Sequence, residues 1–140
     1  DIGAKVPFIV RAPGLSKSGT TSEAMVELID VYPTLADLTG LKAPGHLQGS
    51  SLRPLLSNPD RPGKKKYAYS VVTRGPKNLG YALRNQNWRY GKWPDGEELY
   101  NLRNDPQEKN NLAQKEHVKK RLEEFRKILA EKQKNLEEGN

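Results

Sequence analysis

Six consecutive residues, Asn58-Pro59-Asp60-Arg61-Pro62-Gly63, constrain this chain most, because neither a helix nor a strand runs through them. Each proline fixes φ and removes a backbone donor, and the glycine adds conformational freedom. The chain is therefore expected to fold as one part before the break and another after it. We place a linker over 58–66, with a first part over 1–57 and a second over 67–140. The total of 140 residues suits one ordinary domain or two small subdomains sharing a surface.

In the first part, Val6-Pro7-Phe8-Ile9-Val10 is an apolar run ended by Ala12-Pro13-Gly14 and reads as a buried strand. Residues 24–28 are a short strand or a helix start. Pro33 decides where the next helix begins. In a helix running from Ser22 to Leu38 it would sit in the interior, at a cost of about 3 kcal/mol. With Asp30 as N-cap, Pro33 falls in the first turn, where no intrahelical N–H bond is lost. The expected helix covers 31–39, with Val31, Leu35 and Leu38 on one face and Gly40 as its stop. Ser51 can cap a second, short helix over 52–56, with Pro54 tolerated in its first turn.

After the break come four runs rich in Tyr, Trp and Val, at 67–73, 80–85, 88–93 and 98–102. Gly75-Pro76, Asn85-Gln86-Asn87 and Pro94-Asp95-Gly96 separate them, which predicts a small antiparallel sheet. From about Gln114 to Leu136 the pattern is helical. Val118, Leu122, Phe125 and Leu129 form a stripe expected to lie across one face of that sheet.

Composition bears on partners. Hydrophobic residues are 34%, lean for a self-contained core, so part of the apolar surface is expected to pack against something outside these residues. There is no cysteine, which excludes disulfides, thiolate metal sites and a Cys nucleophile. No apolar run approaches the roughly 20 residues of a membrane span. Residues 61–94 contain no Asp or Glu but nine Lys and Arg, against +7 for the whole chain, which leaves the rest at −2. That stretch is expected to meet an anion. The 114–138 helix mixes eight Lys/Arg with six Glu, which describes a solvated helix and not a nucleic-acid stripe.

Several pieces, in their order, resemble the distal part of the type I sulfatases of the alkaline-phosphatase superfamily. Val6 to Gly14 is similar to the family's strand and "PG" turn. Val26-Glu27-Leu28-Ile29-Asp30-Val31-Tyr32-Pro33-Thr34-Leu35 resembles its "V-x-L-x-D" helix entry. Gln48-Gly49-Ser50-Ser51-Leu52-Arg53-Pro54-Leu55-Leu56 resembles its "G-x-S-L-x-P-L-L" segment. Gly80-Tyr81-Ala82-Leu83-Arg84, Trp88-Arg89-Tyr90 and Glu98-Leu99-Tyr100-Asn101 come next. Asp105-Pro106-Gln107-Glu108-Lys109-Asn110-Asn111-Leu112 looks like "D-P-x-E-x-x-N-L". The stretch around Tyr69 to Gly75 tilts the resemblance toward the iduronate-2-sulfatase-like branch.

The resemblance implies an α/β fold: an edge of the main sulfatase sheet over 1–57, then a four-stranded antiparallel sheet packed with a long C-terminal helix. It implies hydrolysis of sulfate esters of glycans by a formylglycine on calcium, with metal and cations neutralising the sulfuryl group in flight. In the family those elements lie upstream of the strand at Val6, so catalytic residues, metal ligands and cofactors are expected to be absent from this chain. The implied partners are an N-terminal sulfatase catalytic segment and a sulfated glycan, with no nucleic acid and no membrane. The implied compartment is periplasmic, secreted or lysosomal. The competing class is a non-catalytic polyanion-binding module, resting on a pI near 9.6 and on residues 61–94.

Two residues are the substrate-binding candidates. Arg74 follows a strand and precedes Gly75-Pro76, so its planar fork can hold a carboxylate or sulfate; the bland alternative is an Arg that braces its loop. Lys77 on the same loop is a second anion contact. Ser57-Asn58-Pro59-Asp60-Arg61 matches the minimal formylglycine pattern, but its surroundings are linker-like and Ser57 is expected to remain serine. His46 and His117 stand alone as surface residues, Tyr81 as core or interface, and Trp88 and Trp93 as packing.

Overall fold

The computed structural model describes residues 4–16, 18–73, 75 and 78–138. They form two compact units, one of residues 6–68 and one built mainly from residue 69 onward.

In the first unit a 3-10 turn, Leu28–Asp30, leads into α1, Val31–Leu38, and a short α2 spans Arg53–Ser57. Asp30 makes no side-chain cap to α1, contrary to the expectation from sequence. Its buried carboxylate turns away from the helix instead. It accepts from the Glu27 amide at 2.9 Å, the Ser50 amide at 2.8 Å and Lys65 Nζ at 2.7 and 2.9 Å. Lys65 also pairs with Glu27. A carboxylate removed from water needs such partners, and here three chain segments supply them.

α1 is bolted to the 50–53 segment at two further points. Thr34 Oγ1 donates to the Asp30 carbonyl at 2.5 Å and accepts the Leu52 amide at 2.9 Å. Asp37 accepts from Ser51 Oγ at 2.5 Å and Arg53 at 3.1 Å. Those bonds choose the inner face of α1. Pro33, Thr34 and Ala36 are buried, whereas Leu35 is 56% exposed, so the expected Val31–Leu35–Leu38 face is not the buried one. Gly49 permits the approach: a Cβ there would sit 2.0 Å from the Ile29 carbonyl oxygen.

Residues 6–10 form no strand. Among the described residues none pairs with them, and Ile9 is 91% exposed, which corrects the expected buried strand. A strand exists only through its ladder, and an apolar run without a partner strand stays extended and open. Residues 58–66 are tied down within the unit. Ser22 Oγ donates to the Pro59 carbonyl at 2.7 Å, Gly63 packs on Ala24, and Met25 bridges to Lys65.

In the second unit β1 (Ala68–Thr73), β2 (Leu79–Arg84), β3 (Trp88–Trp93) and β4 (Gly96–Asn101) form one sheet in sequence order. β2, β3 and β4 pair antiparallel. The register aligns Leu83, Tyr90 and Leu99 in one row across three strands, each at most 2% exposed. After a 3-10 turn, Glu116–Val118, α3 (Lys119–Glu138) lays Val118, Leu122, Phe125 and Leu129 on that row. Phe125 meets Tyr90 with ring centroids 5.8 Å apart. This sheet with its C-terminal helix is the architecture expected for the second part.

The loop between β4 and α3 closes the β4 edge. Asn111 Oδ1 accepts the Leu99 and Ala113 amides, each at 3.0 Å, and its amide donates to the Glu97 carbonyl. The Leu112 amide then donates to the Leu99 carbonyl at 2.8 Å. Asp105 shapes the turn by accepting the Lys109 and Asn110 amides, which hold its carboxyl below the ordinary range. Glu108, at φ 55°, pairs with Arg89 at 3.0 Å. The "D-P-x-E-x-x-N-L" pattern is thus a structural staple that satisfies an edge strand.

Candidate functional site

The sequence puts the expected substrate contacts on the β1–β2 connection, but Arg74 and Lys77 lie outside the described residues. Gly75 between them has φ 75°, a left-handed conformation that glycine adopts freely. β1 and β2 hold the two ends of this connection. Tyr69 and Tyr81 stack at 6.5 Å, which fits the packing role expected for Tyr81. Burial raises the Tyr69 hydroxyl pKa, with a smaller push from Tyr81.

The remaining basic residues of the 61–94 stretch divide by partner. Lys65 is spent on Glu27 and Asp30, and Arg89 on Glu98 and Glu108, with its guanidinium also over the Tyr100 ring. Arg61, Lys64 and Lys66 are exposed in the first unit, and Lys92 in the second. Part of the acid-free stretch therefore neutralises carboxylates from elsewhere in the chain. Sequence spacing could not reveal this, because those partners lie 9 to 38 residues away.

α3 covers the Leu83–Tyr90–Leu99 side of the sheet; the other side carries Gly80, Ala82, Gly91, Trp93, Arg89, Glu98 and Tyr100. Trp93 pairs with Gly96 across the β3–β4 turn, and its ring lies over Gly80, where a Cβ would meet three ring atoms at 2.4–2.6 Å. Asn78, Trp93, Pro94, Asp95 and Glu98 line a groove of about 270 Å³ at this end. Sequence alone gives Trp93 only a packing role. Its gathering with Asn78, Asp95 and Glu98 depends on strand register, which residue types do not carry.

Under the helix edge, Tyr90 donates to Glu97, and Glu97 takes a two-pronged contact from Arg126. The guanidinium holds the Glu97 carboxyl below its ordinary value, and burial raises the Tyr90 hydroxyl. Arg121 lies over Trp88 and Lys132 over Tyr69, so helix cations cover the aromatic rims of the sheet. His46 and His117 are exposed. Ser57 ends α2 and its hydroxyl donates to the Arg53 carbonyl at 3.2 Å. Among the described residues no three His, Cys, Asp or Glu side chains gather to hold a metal. Nor, among them, is any helix long and apolar enough to cross a membrane.

Residues 1–135 match a family described as "N-sulphoglucosamine sulphohydrolase, C-terminal". An N-acetylglucosamine-6-O-sulfatase of Bacteroides thetaiotaomicron is 30% identical over 97% of this chain and 26% of its own length. A Delta 4,5-hexuronate-2-O-sulfatase of the same organism is 32% identical over 89% of this chain and 27% of its own. A solved structure in complex with its substrate D-glucosamine-2-N,6-O-disulfate superposes with a TM-score of 0.85, at 30% identity, over 93% of this chain and 28% of that one. The chain thus spans about a quarter of the length of these relatives.

Proposed function

We propose, from the premise that the chain belongs to the N-sulphoglucosamine sulphohydrolase C-terminal family, that it completes the fold and the substrate pocket of a sulfatase acting on sulfated glycans. The observation that carries this is the likeness, over 93% of the chain, to a protein solved with a disulfated glucosamine. The relatives matched along nearly all of this chain are sulfuric ester hydrolases, and this chain corresponds to their C-terminal portion.

The finer proposal is an iduronate-2-sulfatase-like preference, with Arg74 and Lys77 contacting the acidic sugar. A hexuronate-2-O-sulfatase among the relatives supports it, as does the cationic, acid-free stretch that contains both residues. Formylglycine and calcium supply the sulfuryl chemistry in such enzymes. The catalytic segment would come from the same or a separate chain. The open apolar side chains of the first unit, Ile9, Leu28, Tyr32, Leu35 and Leu41, offer it a surface to cover.

The test is sulfate release by the full-length protein that contains this chain. The substrates are a 2-O-sulfated hexuronate disaccharide and N-acetylglucosamine 6-sulfate. Release from the uronate supports both levels of the proposal. Release from the glucosamine alone leaves the sulfatase role standing and removes the branch. Release from neither removes both. The 140-residue chain by itself should turn over neither substrate.

A further inference from the structure

β1 is the outermost strand of its sheet, and the β1–β2 connection runs from its end to the start of β2. What such a connection presents can be no better placed than its two ends. The row Leu83–Tyr90–Leu99 under α3 holds β2, β3 and β4. β1, among the described residues, adds no side chain to that buried core, and it is exposed from Val71 to Thr73. Tyr69, half-buried near the start of β1, ties the strand down on two sides. Its ring stacks on Tyr81 of β2, with centroids 6.5 Å apart and planes 19° from parallel. Lys132 of α3 stands over the same ring, with Nζ 5.9 Å from the centroid. Stacked rings at this separation attract, and so does a cation above the electron-rich face of a tyrosine.

We propose that Tyr69, Tyr81 and Lys132 are positioning residues for substrate recognition: by fixing β1 against β2 and α3 they set how the connection presents Arg74 and Lys77 to an acidic sugar. The inference rests on the reading of Arg74 and Lys77 as sugar contacts. The three side chains act through the connection and touch no reacting atom. With the clamp weakened, β1 samples other placements, and fewer molecules hold the connection ready for the sugar. Apparent affinity falls with that fraction. The chemical step, carried by groups elsewhere, is untouched. KM for the acidic sugar therefore bears the effect, and kcat does not.

The test uses the full-length protein that contains this chain. Lys132→Gln keeps most of the side chain and removes its charge. It should speed amide hydrogen exchange along β1. It should also raise KM for a 2-O-sulfated hexuronate disaccharide by roughly two- to fivefold, the effect of one exposed cation–π contact. kcat, the kinetics on a small aryl sulfate and the melting temperature should stay at the parent's values. Lys132→Arg, which keeps a cation over the ring, should behave as the parent does. Tyr81→Leu should act in the same direction as Lys132→Gln. Unchanged exchange along β1 in Lys132→Gln would overturn the proposal without any substrate. So would faster exchange with an unchanged KM, or an equal loss on both substrates, which is what plain packing predicts. The reading beneath the proposal fails separately. A parent that releases no sulfate from the uronate, or an Arg74→Ala variant with the parent's KM, removes the sugar contacts and the positioning role with them, whatever the exchange shows.

Discussion

Asp30 and Lys65, 35 residues apart, meet at 2.7 Å with the aspartate side chain 1% and the lysine side chain 18% exposed. Around this pair the first unit is organised: Glu27 and Ser50 contribute amides, and Glu27 a second carboxylate. Removing one partner of a buried pair leaves the other without compensation, which costs about 3–5 kcal/mol. Asp30→Ala and Lys65→Met should each destabilise the first unit by an amount of that order, seen as a lowered melting temperature. The double variant should lose less than the sum. Additive losses in a thermal double-mutant cycle would mean that the two side chains act independently.

Asn111 performs for the second unit what Asp30 performs for the first, with hydrogen bonds in place of charge. Truncating it strips the Leu99 and Ala113 amides of their acceptor. Asn111→Ala should cost about 1–3 kcal/mol in chemical denaturation. Hydrogen exchange should report faster exchange at Leu99 than at Tyr90, which sits inside the sheet. Equal protection at both would show that the loop does not close the β4 edge.

Acid should loosen the second unit through Glu97. Arg126 holds this carboxyl below its ordinary value of 4.5, with help from Tyr90 and against a smaller opposing effect of burial. A carboxyl with a lowered folded-state pKa adds stability that is complete above the unfolded value. It is lost as pH falls through the folded one. Stability should therefore decline below about pH 4.5, and Glu97→Gln should flatten that decline while lowering the plateau above it. A denaturation series from pH 7 to pH 3 checks both. An unchanged acid slope in the variant would assign the decline to Asp105, which is lowered in the same sense.

Arg74 separates recognition from bracing. In the full-length protein, Arg74→Ala should lower kcat/KM on a sulfated uronic-acid substrate by roughly 10–150-fold, the loss of one charge-assisted contact. A small aryl sulfate has no uronic acid and should barely change. If instead both substrates suffer alike and the melting temperature falls, Arg74 holds its loop and does not contact the sugar.

Local pattern determined a good part of this protein from the sequence alone. The four strands lie where aromatic and β-branched runs alternate with turn residues, and each boundary is within two residues of expectation. Val118, Leu122, Phe125 and Leu129 are buried because a 3.6-residue period places them on one side of any helix. The ordered pieces around Asp30, Leu52 and Asp105 carried the family resemblance. Tertiary structure alone decided the roles within those pieces. Asp30 could cap α1 or face inward, and it faces inward because Ser50 and Lys65 arrive from distant segments. Leu35 could be core, but Thr34 and Asp37 turn the opposite side of α1 toward Leu52 and Arg53. Val6 to Val10 has the composition of a buried strand and forms none, since a strand requires a neighbour that residue type cannot supply. The groove at Trp93 likewise exists only because register sets that ring over Gly80 and brings the hairpin turn alongside. Periodicity is a property of neighbours in sequence; charge pairing, ladder formation and cavities belong to neighbours in space.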